Sequence, residues 1–243
     1  MKLAVHADQV IRAPAQQASV PDPYAGATQL AIFDLDRTLV HGSSLVELAS
    51  CLAAQGIVGR TTLARHALPR VVFARRGAGD ATAVRVRQAA LAALAGCERE
   101  ALAGAARDAG QLVSRRLYRG ARWVLDRHLG AGDFCVVVSA APQELVEAVV
   151  SSIGAHRAVG TRAAVTDGHL TGELEGPFCY GPGKLARLSS EIGVVSLGGA
   201  CAYSDSASDL PLLSACGHPV AVNPDRRLRK AAKAADWPIL HFD

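Results

Sequence analysis

The feature that most constrains the fold is a short apolar run, Leu30-Ala31-Ile32-Phe33, that stops abruptly at Asp34-Leu35-Asp36. Such a run, bounded by polar residues, reads as a strand buried on both faces whose C-terminal end carries polar side chains. Sheet signals return only at Phe134-Cys135-Val136-Val137-Val138, which ends at Ser139. A helix follows, with Pro142 near its first turn and Leu145, Val146, Val149 and Val150 on one face. Asp167-Gly168 stands between alternating runs over 163–174 and predicts a hairpin. After it come a helix beyond Gly183-Lys184, a strand at 200–203 ending in Ser204-Asp205, a last strand at 219–223, and a basic helix opened by Asn223-Pro224-Asp225. Strands alternating with helices imply an α/β fold with a doubly wound parallel sheet.

The stretch between the first two strands has a different character. From Ser44 to His128 it is rich in Ala, Leu and Arg and carries apolar residues at helical spacing. Leu45, Leu48 and Leu52 make one stripe, and Val84, Leu91 and Leu94 another; Leu112, Leu117, Trp123 and Leu125 continue the pattern. Gly56, Pro69, Gly77-Ala78-Gly79 and Gly96 divide the stretch into about four helices. Phe73, Tyr118 and Trp123 are expected to pack the core of this helical insertion. A chain of 243 residues exceeds the roughly 100–150 of an ordinary single-core domain, which suits a core with an insertion. Residues 1–28, with Pro14, Pro21 and Pro23, read as a flexible extension.

Six scattered cysteines without a CxxC indicate reduced thiols, and no His/Cys cluster has zinc-ligand spacing. Neither a signal peptide nor a membrane-length apolar run is evident, so a cytoplasmic location is expected. The formal charge of +4 divides into +8 over 45–127 and −4 elsewhere. A positive helical surface suits anionic esters, or anionic headgroups at a membrane surface. Solvated helix faces in an arginine-preferring sequence are the simpler reading, and neither a membrane surface nor nucleic acid is expected as a partner.

The strand ends carry the chemistry. Asp34 and Asp36, then Ser139, then Lys184, then Asp205 and Asp209 occur at successive carboxyl ends, where open parallel sheets bind ligands. Several carboxylates on one rim repel unless a cation neutralises them, and all-oxygen donors favour a hard ion such as Mg²⁺. Carboxylate, hydroxyl, ammonium and Mg²⁺ around one point form a receptor for a phosphoryl group. Arg outnumbers Lys 22 to 4, and Lys184 is the one lysine away from the chain ends. A compact ammonium on a phosphate oxygen is a task that Arg does not duplicate.

These residues resemble a family. Asp34-Leu35-Asp36-Arg37-Thr38 after an apolar strand is similar to the DxDxT signature of the haloacid dehalogenase superfamily. Ser139, Lys184 and Asp205-Ser206-Ala207-Ser208-Asp209 resemble its second, third and fourth motifs. Asp167–Gly172 and Ala221–Arg227 resemble the subfamily IB hydrolases, relatives of phosphoserine phosphatase. The resemblance covers about 30–243 and implies a Rossmann-like core over 29–43 and 129–243 with an all-helical cap over 44–128. It further implies a phosphomonoesterase in which Asp34 is the nucleophile and Asp36 the acid and base. Mg²⁺ would be held by Asp34, the Asp36 carbonyl and Asp205, with Asp209 behind them. Thr38 would bond within the first-motif loop, and Ser139 and Lys184 would bind phosphate oxygens. Ser43 falls where phosphoserine phosphatases carry a glutamate, which weighs against phosphoserine. Arg37 and His41 lie beside the site, where contact with the leaving group and a solvent-facing loop role suit them equally. Transfer to an alcohol acceptor, and a non-catalytic binding module using the Arg-rich cap, are the alternatives.

Overall fold

Six parallel strands form one sheet in the computed structural model, which describes residues 29–59, 80–193 and 196–243. Across the sheet the order is β3 (Arg157–Thr161), β2 (Phe134–Pro142), β1 (Leu30–Phe33), β6 (Cys201–Ser204), β7 (His218–Val222) and β8 (Ile239–Leu240). The four residues of β1 are all buried, as a central strand covered on both faces requires. Every pairing in this sheet is parallel, with Phe33 opposite Val137 on one side and Tyr203 on the other. The polar residues after β1 and β6, and Ser139 within β2, therefore emerge on one rim.

The remaining elements are helices α1 (Ser44–Ala54), α2 (Asp80–Leu94), α3 (Arg99–Ser114), α4 (Arg119–Gly130), α5 (Gln143–Ile153), α6 (Pro182–Ile192), α7 (Leu210–Ala215) and α8 (Arg226–Ala234), and a hairpin of β4 (Ala163–Thr166) and β5 (His169–Leu174). Asp167 and Gly168 both take positive φ, 50° and 79°, at the tip of that hairpin. This is the two-residue turn that Asp-Gly predicts. Between β1 and β2 lie four helices among the described residues. The expectations for 1–28, Pro69, Phe73 and 77–79 lie outside the described residues.

Two apolar clusters cover the two faces of the sheet. One joins Phe33, Val137, Leu145 and Val149 to Leu48, Leu52, Leu102, Ala105, Ala109, Val113 and Leu125 of the inserted helices. The other joins Ile32, Val136, Val138 and Ala202 to Leu188, Leu212, Leu213 and Leu228. Helix α3 packs on α5, and α4 lies against β2. Its α3 contact needs small residues: a Cβ on Gly110 would overlap Ala148 of α5.

Several expectations are corrected. Trp123 does not pack a helical core; it is 60% exposed, with the Arg127 guanidinium 4.8 Å above its ring. Leu112 is likewise exposed. The buried face of α3 is instead Leu102, Ala105, Ala106, Ala109 and Val113. Tyr118, by contrast, packs as expected against the apolar cluster of the inserted helices, beside His41 and Phe242. Strand β2 runs past Ser139 to Pro142, α6 begins at Pro182 ahead of Gly183-Lys184, and the two-residue β8 follows what was expected to be the last strand.

Candidate active site

Asp34 is the first residue after β1, and its N–H donates to Tyr203 O of β6 at 2.9 Å. That bond fixes the backbone, so the carboxylate stands at the rim between two strands. Its two oxygens are held separately: Lys184 Nζ donates to Oδ1 at 2.6 Å and Thr38 Oγ1 donates to Oδ2 at 3.1 Å. Lys184 occupies the first turn of α6, where Pro182 supplies an N-terminal helical position without a lost hydrogen bond. The same ammonium donates to Asp209 Oδ2 at 2.7 Å, and Ser204 Oγ donates to that oxygen at 2.6 Å. Asp34, Lys184, Ser204 and Asp209 are all buried.

Asp209 sits at the start of α7 but does not cap it with its side chain; the carboxylate is spent on Lys184 and Ser204. Asp205 is buried, and its Oδ2 pairs with Arg37 Nη2 at 2.9 Å. Asp36 is held from the start of α1. It accepts from the Ser44 N–H at 2.7 Å, at the N-terminus of α1, and from Ser43 Oγ at 3.3 Å. A helix N-terminus favours a carboxylate, so this contact orients Asp36. The turn is closed by Arg37 N–H to Val40 O at 2.8 Å and Val40 N–H to Leu35 O at 3.1 Å.

Burial sets the electrostatics. It pushes Asp34 up to about 6, against the opposing pull of Lys184, with Asp209 and Asp36 adding to the rise. Burial also raises Asp36, opposed by the bonds from Ser44 and Ser43. Asp205 is raised well above the usual carboxylate range by burial and then by Asp34, against Arg37. For Lys184, burial works against the ammonium, but Asp209 and Asp34 outweigh it and hold the group charged.

The structure thus brings together Asp34, Thr38, Lys184 and Asp209, and joins Arg37 to Asp205. Ser43 bonds to Asp36. Ser139 is buried within β2, two residues past Val137, the partner of Phe33 at the end of β1, and its hydroxyl accepts from the Ala141 N–H at 3.2 Å. His41 is exposed and rests on Tyr118, with ring centroids 3.7 Å apart.

Ser204 went unread in the sequence, and Asp225 was read only as opening the last helix. Ser204 anchors Asp209, and Asp225 braces the acidic loop: its carboxylate accepts from Ala207 N–H at 3.0 Å and caps α8 through Leu228 N–H at 2.7 Å. The signal for Asp225 was Asn223-Pro224-Asp225 ahead of a helix; Ser204 had none beyond its place at a strand end.

Among the described residues no three His, Cys, Asp or Glu side chains form a metal-binding cluster. A cation at this rim would be offered two buried carboxylates, Asp34 and Asp205. That suits Mg²⁺, which typically takes one or two protein carboxylates and completes its shell with water and phosphate oxygens.

A family model described as haloacid dehalogenase-like hydrolase matches residues 31–214. A phosphoserine phosphatase of Mycobacterium tuberculosis is 34% identical over 247 residues, covering 98% of this chain and 79% of that one. A histidinol-phosphatase of Neisseria meningitidis serogroup C is 32% identical over 220 residues, covering 88% and 98%. A crystal structure of a protein of unknown function from Bordetella pertussis Tohama I superposes with a TM-score of 0.74 at 32% identity, covering 88% of this chain and 98% of that one.

Proposed function

On the premise that the chain belongs to the haloacid dehalogenase-like hydrolases and is a phosphatase of that family, we propose that it is a Mg²⁺-dependent phosphomonoesterase. It acts on a small phosphorylated alcohol through an aspartyl-phosphate at Asp34. The observation that carries this is the division of labour on Asp34: Lys184 on one oxygen, Thr38 on the other, and backbone fixed to β6.

An Asp34 oxygen attacks phosphorus while the bond to the leaving alcohol oxygen breaks. Asp36, made a weaker acid by burial, protonates that oxygen as it leaves. Asp36 then takes a proton from the incoming water, whose oxygen attacks phosphorus and releases phosphate and the Asp34 carboxylate. Lys184 balances charge on Asp34 and, with Ser139, binds phosphoryl oxygens. Asp34, the Asp36 carbonyl and Asp205 would hold Mg²⁺, which supplies positive charge against the phosphoryl oxygens. Asp209 acts behind them by fixing Lys184. Residues 44–128 are the cap, whose closure excludes water other than the nucleophile.

For substrate class, two relatives of nearly equal identity are named for different small phosphorylated alcohols, phosphoserine and histidinol phosphate. Ser43 turns to Asp36, which leaves no acid at that position for a substrate amine. Phosphate release should be measured over a panel of phosphoserine, histidinol phosphate, sugar phosphates and lysophospholipids, with and without an alcohol acceptor. We expect Mg²⁺-dependent release, abolished by chelation and reduced by at least about 10³-fold in Asp34→Asn and Asp205→Asn, as for loss of groups that act as a unit. Wild-type turnover in both variants would overturn the mechanism.

A further inference from the structure

We propose that Arg37 is an exchangeable counter-cation: it pairs with Asp205 in the metal-free protein, yields that carboxylate to a divalent cation, and moves to the phosphoryl group of the substrate. This rests on the reading that Asp34 and Asp205 hold the cation.

Four carboxylates, Asp34, Asp36, Asp205 and Asp209, share this end of the sheet with two cations that pair with them among the described residues. Lys184 is buried and committed at 2.6 and 2.7 Å to Asp34 and Asp209. Asp36 is served by Ser43 and Ser44. The ion-pair partner of Asp205 is Arg37, at 2.9 Å.

The pair is unequal. The Asp205 side chain is 4% exposed and fixed in the loop after β6; that of Arg37 is 38% exposed. A guanidinium that already reaches solvent can leave without crossing the core, whereas the carboxylate cannot follow. The guanidinium holds Asp205 Oδ2, so a cation that takes that oxygen must displace it.

The backbone supports the assignment. Arg37 has φ 63°, in the left-handed region that is strained for a non-glycine residue. Bonds on either side lock the turn in that form. In that form its side chain reaches Asp205. Once displaced, its five donors and planar fork match a phosphate better than they match solvent.

The test is Mn²⁺ titration calorimetry on the full chain without substrate, repeated with inorganic phosphate. We expect Arg37→Gln to bind Mn²⁺ about five- to tenfold more tightly than wild type, the scale of one partly exposed ion pair. We further expect phosphate to strengthen Mn²⁺ binding in wild type and to do so less in the variant, because the exchange is gone. Unchanged or weaker Mn²⁺ binding in Arg37→Gln, or undiminished coupling to phosphate, overturns the exchange. Asp205→Asn separates the two readings: if it binds Mn²⁺ as wild type does, or wild type binds none, the metal site itself is wrong. Should Arg37→Gln fail to fold, Arg37→Lys, a point charge without the fork, is expected to tighten Mn²⁺ in the same direction, and no change there counts against the proposal.

Discussion

Ser43 donates its hydroxyl to Asp36 across 3.3 Å, beside the Ser44 N–H at 2.7 Å, and both bonds favour the ionised carboxylate. Removing the hydroxyl in Ser43→Ala should raise Asp36 further and loosen its aim. A bond this long contributes about 1 kcal/mol, so kcat should fall about fivefold while KM stays near wild type. The basic limb of the kcat profile, where the acid loses its proton, should move to higher pH. A changed KM with an unmoved profile would mean that Ser43 meets substrate instead. At this scale the sequence was legible where residue type alone implies chemistry: paired carboxylates after a strand and an isolated lysine. Ser204 was not legible, because a serine hydroxyl acquires its role only from the Asp209 oxygen 2.6 Å away.

Helix α6 presents Lys184 because its first turn lies close against the preceding loop. A Cβ built on Gly183 would overlap the carbonyl oxygen of Phe178. Gly183→Ala must therefore displace the turn that carries Lys184. Overpacking of this kind costs about 1–3 kcal/mol, and we expect a lower melting temperature together with a fall in kcat larger than any rise in KM. A variant with full stability and full kcat would show that the turn tolerates the shift. Elements were legible where local rules decide them, as at Asp167-Gly168, whose positive φ pair closes the hairpin. The orientation of α3 was not. Leu112 was expected to continue an apolar pattern with Leu117, Trp123 and Leu125, but close approach to α5 at Gly110 selects a face rich in alanine and leaves Leu112 exposed. Periodicity gives the existence of a helix; the neighbour decides which side is buried.

For the whole molecule, concentrating carboxylates on a buried rim trades stability for function. Asp34 titrates near 6 in the fold against 3.8 for the free side chain. The folded state therefore holds this proton more tightly than the unfolded chain. The contribution is complete below about pH 4 and is lost as pH rises through 6; it amounts to on the order of 3 kcal/mol. Asp36 and Asp205 shift in the same direction. In chelator, Asp34→Asn should therefore gain stability over wild type at pH 8 and lose most of that advantage by pH 5, read as the difference in melting temperature. Equal differences at the two pH values would contradict the raised titration. No helix among the described residues is long and apolar enough to cross a membrane.

The sequence by itself determined the parallel α/β alternation, the helical insertion after the first strand and the order of the polar strand ends. These follow from period, turn chemistry and residue type, which are local. Only the tertiary structure decided that Lys184 bridges Asp34 and Asp209, that Arg37 rather than another cation meets Asp205, and that Ser43 serves Asp36. It also decided that Ile239-Leu240 adds a strand and that Trp123 faces solvent. Those outcomes depend on which surfaces meet across long stretches of chain, and hydrogen-bond partners and burial exist only once they have met.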